Sequence, residues 1–164
     1  INREQYIKVT DYFKNNKTAN RCLKIIYTVL PLYVFANYPI LLFYTFFWRK
    51  NTFLETLVVP AAVFALITVL RKIIKRQRPY DCFDVAPVIL KKSEPDSMPS
   101  RHTASAFIIA MTVLSINTYA GIFYIIIALL ISLSRIFAGV HYISDVIVGA
   151  VISILCGVIF LFVI

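Results

Sequence analysis

The sequence predicts an all-α membrane protein: a polytopic bundle of about five transmembrane helices preceded by an amphipathic N-terminal helix. Three observations carry this. Of the 164 residues, 60% are hydrophobic and only 15% are charged, and mean hydropathy is +0.79, far from a soluble composition. Long apolar runs recur along the chain, including 25–48 and 103–134 without one charged side chain. The remaining charges gather in a few short segments between those runs.

The length fits one domain, read as a single membrane unit over 1–164 with an interfacial helix at 1–21. That first segment alternates Ile1, Tyr6, Ile7, Val9 and Phe13 with Arg3, Lys8, Lys14, Lys17 and Arg21. This is the pattern of a helix lying in the bilayer interface; a frayed basic tail is the plainer alternative. The segment holds no apolar signal-peptide core, so insertion is expected to rely on the spans themselves. The chain starts without Met, which leaves open residues upstream of Ile1.

The first span is expected over 25–48, kinked at Pro31 and Pro39, and closed by the anchor Trp48-Arg49-Lys50. A second covers about 53–70 and continues as a basic helix through Lys75. Residues 79–99 hold Pro79, Pro87, Pro95 and Pro99 with Asp81, Asp84, Glu94 and Asp96, so an irregular loop is expected. The charge-free run that follows is too long for one span. Asn117-Thr118-Tyr119-Ala120-Gly121 offers turn chemistry, giving two spans over about 100–117 and 121–139. The last span runs from about His141 to Ile164. The hairpin returns the chain to the face it left. Residues 71–78, 99–102 and 135–145 therefore meet at one end of the bundle.

The net charge of +9 suggests an anionic partner. Against so oily a background, anionic lipid or an anionic substrate fits and nucleic acid does not. The three cysteines, Cys22, Cys82 and Cys156, have neither CxxC spacing nor an even count, so neither a zinc site nor a disulfide framework is read.

Ionisable groups inside apolar sequence mark function by default. The two histidines of the chain, His102 and His141, both lie in this region. Arg71, Lys75 and Arg78 have i, i+4, i+7 spacing, which predicts one basic helix face, with Lys72 and Arg76 pointing elsewhere; alone they read as a snorkelling flank. Pro99-Ser100-Arg101-His102 opens an apolar helix. Ser100 suits an N-cap and His102 falls in the first turn, where helix amides favour an anion. Asp145 lies one turn beyond His141, so the carboxylate can orient the imidazole; a satisfied buried pair is the bland alternative, but it leaves Arg135 unexplained. Together, guanidinium donors and helix amides can hold phosphate oxygens while one histidine attacks phosphorus and the other protonates the departing oxygen. A two-metal phosphatase needs clustered carboxylates, and Asp145 stands alone, so no metal or other cofactor is expected.

The order Arg71-x6-Arg78-Pro79, Pro99-Ser100-Arg101-His102, Ser134-Arg135-x5-His141-x3-Asp145 resembles the three-part signature of the type-2 phosphatidic acid phosphatase family, whose superfamily includes vanadium haloperoxidases. The resemblance covers residues 71–145. It implies an integral-membrane, metal-independent lipid phosphatase with an extracytoplasmic active site, in the plasma membrane. It also implies roles: His141 as the nucleophile that becomes phosphohistidine, Asp145 orienting it, His102 as general acid, and Arg71, Arg78, Ser100, Arg101 and Arg135 holding phosphate. Lys75 and Lys72 are auxiliary candidates. There are two departures: Arg71 stands where the family pattern has Lys, and Arg101 where it has Gly. Phosphatidic acid, phosphatidylglycerol phosphate and polyprenyl pyrophosphate all present the same reacting group, and neither the lipid nor the oligomeric state is legible. A phosphate transporter and a vanadate-dependent oxidant enzyme are the competing readings.

Overall fold

A computed structural model of the chain describes residues 2–89 and 96–163; Glu94 and Pro95 of the expected loop lie outside these. The order is α1 (Arg3–Asn15), α2 (Lys17–Trp48), α3 (Lys50–Ile74), α4 (Pro79–Phe83), α5 (Arg101–Ile116), α6 (Thr118–Phe137) and α7 (Ile143–Val158), which runs into a π-helical turn at Ile159–Val163. Among the described residues four helices, α2, α3, α6 and α7 with its π turn, are long and apolar enough to cross a membrane, and α5 is a shorter apolar helix. The protein is an all-helical integral membrane protein.

At 16 residues, α5 is about 24 Å long, short for a bilayer of about 30 Å. It has no need to meet lipid on its own. It packs against α2, α3, α6 and α7, and every residue from Thr103 to Val113 is buried. In a membrane, close van der Waals packing of small residues replaces the hydrophobic drive between helices. Ala104, Ala106 and Ala110 supply it on α5. On α7, a Cβ at Gly149 would stand 2.9 Å from the Ser100 carbonyl oxygen. Gly149 therefore lets the backbone at the start of α5 press directly onto α7, which brings Pro99–His102 beside Asp145.

Local expectations are corrected at four places. The helix α2 begins at Lys17, two turns ahead of the span expected from Ile25, and continues as helix through Pro31 and Pro39. The basic helix of α3 stops at Ile74: Lys75 takes a left-handed conformation (φ 48°) and donates its N–H to the Arg71 carbonyl. Arg71, Lys75 and Arg78 therefore do not share a helix face. Within the stretch expected to be an irregular loop, Pro79 opens the short helix α4, a first-turn position where its missing N–H is no loss. The turn between α5 and α6 is Asn117 alone, whose side chain accepts from the Ala120 amide; Gly121 lies inside α6.

The capping box of α1, Asn2 with Gln5, fixes its start. This helix docks across the end of the bundle. The buried Tyr6 hydroxyl donates to the Gly139 carbonyl at 3.0 Å, and Leu23 of α2 clusters with Ala138 and Val140. The chain ends α3 and α6, and begins α2, α5 and α7, at this same end. At the opposite end Tyr44 stacks on Trp48, beside Arg49 and Lys50, as an interfacial anchor.

Candidate active site

Asp145 is the hub of the polar end. It is fully buried. Its Oδ1 accepts from Arg76 Nη1 at 2.9 Å. Its Oδ2 accepts from the Tyr142 amide at 2.9 Å and from the Ser97 hydroxyl. Its backbone carbonyl accepts from the Ser100 N–H at 2.9 Å. One residue thus joins the segment after α3, the segment before α5 and the start of α7.

His141 Nδ1 stands 3.5 Å from Asp145 Oδ2. That is an electrostatic contact longer than a made hydrogen bond, and Nδ1 has no closer partner among the described residues. It aims the ring, leaving Nε2 on the far side. The imidazole is buried. Burial pushes its pKa down from the ordinary 6.5 to about 4; Asp145 opposes this, while the charges of Arg78 and Arg71 push it further down. His141 is therefore a neutral base near pH 7, within electrostatic reach of two guanidinium groups.

Those arginines have backbone partners as well. Arg71 Nη1 donates to the carbonyls of Ser97 at 3.1 Å and Pro99 at 3.0 Å, and Nη2 to that of Asp96. The forked guanidinium latches the segment that leads into α5, a multiple contact that a Lys ammonium matches poorly. Arg78 Nη1 donates to the Val140 carbonyl at 3.1 Å, pinning the turn that carries His141. Gly139 makes that turn with φ +77°, and a Cβ there would meet the Tyr6 hydroxyl at 2.6 Å.

Arg135 ends α6, buried, with Nη2 on the Tyr27 carbonyl at 2.9 Å and its guanidinium carbon 3.7 Å above the Tyr27 ring. It lies within electrostatic reach of Arg78. Its Nε is buried and has no hydrogen-bond partner among the described residues. Ser100 occupies the N-cap position of α5, but its hydroxyl makes no capping bond; it accepts from Thr103 Oγ1 at 3.1 Å. Arg101 and His102 are half-buried on the first turn of α5. Lys72 and Lys75 are exposed, and among the described residues neither bonds to the Asp145 network.

Arg76 is the residue that sequence reasoning aimed the wrong way. Once α3 stops at Ile74, Arg76 turns inward to bond Asp145 and Ser144 Oγ at 2.7 Å, with its guanidinium carbon 4.0 Å over the Tyr142 ring. A buried carboxylate needs a cation, and that demand was the available signal. Ser97 and Tyr27 were also missed, since neither belongs to a charged cluster. Arg76→Gln removes the ion pair from a carboxylate that stays buried. Because Arg76 is about a third exposed, the expected loss is roughly 1–3 kcal/mol of stability. Unfolding in mixed micelles measures it, and a variant as stable as wild type contradicts this role for Arg76.

A family model described as the PAP2 superfamily matches residues 52–164. Among solved structures, LpxE of Aquifex aeolicus is 27% identical, with a TM-score of 0.74 over 94% of this chain and 93% of that one. A transmembrane PAP2-type phosphatidylglycerolphosphate phosphatase from Bacillus subtilis is 22% identical, with a TM-score of 0.53 over 94% of this chain and 74% of that one, a likeness of fold alone. No curated protein matched. The family match spans all three charged segments that the Asp145 network draws together, and the chain belongs to the PAP2 superfamily.

Proposed function

We propose that the protein is a metal-independent lipid phosphatase that cleaves a phosphate monoester or pyrophosphate through a phosphohistidine intermediate. The observation that carries this is the buried His141, 3.5 Å from the Asp145 carboxylate and within electrostatic reach of Arg78 and Arg71. His141 Nε2 attacks phosphorus and the bond to the lipid oxygen breaks. His102 gives that oxygen its proton. Water then attacks the phosphohistidine, with His102 taking the water's proton, and inorganic phosphate leaves. Arg71, Arg78, Ser100, Arg101 and Arg135 hold the phosphoryl oxygens and stabilise their transition-state charge.

The family match supports this reading, and so does a bundle of helices apolar enough to cross a membrane with a polar network at one end. Phosphatidic acid, phosphatidylglycerol phosphate and polyprenyl pyrophosphate are the candidate substrates; phosphate release from each in detergent tests the reading. An extracytoplasmic site in the plasma membrane completes it. With five helices at membrane depth, the C-terminus then lies on the cytoplasmic side.

Metal independence is part of the proposed histidine mechanism, in which an imidazole and guanidinium groups do the work of a Lewis acid. No three His, Cys, Asp or Glu side chains cluster among the described residues. Activity is expected to persist in excess EDTA, and vanadate to inhibit competitively because its trigonal-bipyramidal form resembles the phosphoryl transition state. Loss in EDTA with recovery on adding Mg²⁺ contradicts the histidine mechanism.

The pH dependence has a definite sign. The nucleophile must be neutral, and its pKa in the free enzyme is lowered to about 4. The acid limb of kcat/KM is therefore expected well below 6.5, after allowance for the ionisation of the lipid phosphate itself. An acid limb of enzyme origin centred near 6.5 contradicts the assignment of His141.

A further inference from the structure

A second cationic feature lies outside the Asp145 network, where α1 meets α2. Lys14 of α1 and Lys17, Arg21 and Lys24 of α2 line a cleft of about 630 Å³ whose floor continues onto Ile25 and Val29. The three α2 cations follow i, i+4, i+7 spacing, so here, inside one unbroken helix, they do share a face. All four side chains are exposed, and among the described residues no carboxylate pairs with them. Lys14 is held at the rim by donating to the Ala86 carbonyl at 2.6 Å. The cleft lies at the catalytic end of the bundle: one turn further along α2, Tyr27 meets Arg135. From there the exposed Ile25, Val29 and Leu32 lead down toward the middle of the bilayer.

We propose that this cleft is a binding site, separate from the catalytic centre, for an anionic phospholipid of the surrounding leaflet. The lipid phosphate sits among Lys17, Arg21 and Lys24, with Lys14 at the rim, and one acyl chain lies along Ile25 and Val29. Charge complementarity selects the occupant. Four cations, with no carboxylate paired to them among the described residues, above an apolar strip match a head group that is negative and a tail that is not; a zwitterionic lipid brings its own ammonium into the same cleft. Each interfacial Lys or Arg contributes about a fivefold gain in binding to anionic lipid.

Native mass spectrometry of the full chain in micelles tests this, with phosphatidylglycerol and phosphatidylcholine of identical acyl chains. Phosphatidylglycerol is a phosphodiester and so stands outside the proposed phosphatase reaction; the two proposals fail independently. Wild type is expected to retain phosphatidylglycerol at least about tenfold over phosphatidylcholine. The triple variant Lys17→Gln/Arg21→Gln/Lys24→Gln is expected to cut the preference to about fivefold or less, the share left to Lys14, and the charge-keeping Lys17→Arg/Arg21→Lys/Lys24→Arg to preserve it. Should the neutral triple variant not fold, Arg21→Gln alone decides, with an expected loss of about fivefold. Equal retention of both lipids by wild type, or a preference untouched by the neutral variants, overturns the proposal. So does displacement of the lipid by an equal concentration of inorganic phosphate, which would make this a free-anion site.

Discussion

His141→Ala is expected to abolish phosphate release while leaving the bundle intact. The side chain is buried at the polar end, and its Nδ1 makes no hydrogen bond shorter than the 3.5 Å contact to Asp145, so the structural cost is that of a cavity rather than of a broken network. In the proposed mechanism the chemistry depends on it wholly: without the imidazole no covalent intermediate is expected to form, and the remaining cations would only hold the phosphate. Loss of an essential nucleophile costs on the order of 10³-fold or more in kcat. Binding of vanadate or lipid is expected to change far less, because the guanidinium groups are still present. A variant that keeps more than about a tenth of wild-type turnover removes His141 from the nucleophile role.

His102→Ala is the second large effect, and its signature is selectivity rather than magnitude alone. A general acid contributes about 10²–10⁴-fold when the departing oxygen is a poor leaving group. A leaving group that departs without a proton needs it little. Turnover of an alkyl lipid phosphate is expected to fall by at least about 10²-fold, and that of an aryl phosphate such as p-nitrophenyl phosphate by much less. A uniform loss across a leaving-group series contradicts the assignment and leaves His102 a binding residue.

The sequence made the bundle legible because membrane helices are written in composition: apolar runs must satisfy their backbone internally and so become helices. Their number and order, and the return of three charged segments to one end, follow from counting crossings. The ends of helices are written differently. The stop at Lys75 depends on a left-handed residue that is not glycine, and periodicity carries no sign of it. That one backbone change redirected Arg76 onto Asp145 and dissolved the expected face of Arg71, Lys75 and Arg78. The docking of α1 was equally hidden. Its amphipathic pattern marks an interfacial helix, while the Tyr6 contact with Gly139 joins residues 133 positions apart. Arg71, a departure from the family pattern in the sequence, gains a physical reason in the structure: a fork reaching three carbonyls of the segment before α5.

The central claim is covalent transfer to one named nitrogen-bearing side chain. Phosphohistidine survives alkali and is lost in acid, so the direct measurement is a rapid alkaline quench of enzyme turning over a ³²P-labelled lipid phosphate, followed by peptide mapping. The account predicts label on the peptide containing His141, formed and discharged at rates compatible with turnover, acid-labile, and absent from His141→Ala. Label on the His102 peptide, or full turnover through which no phosphoenzyme ever forms, would contradict it.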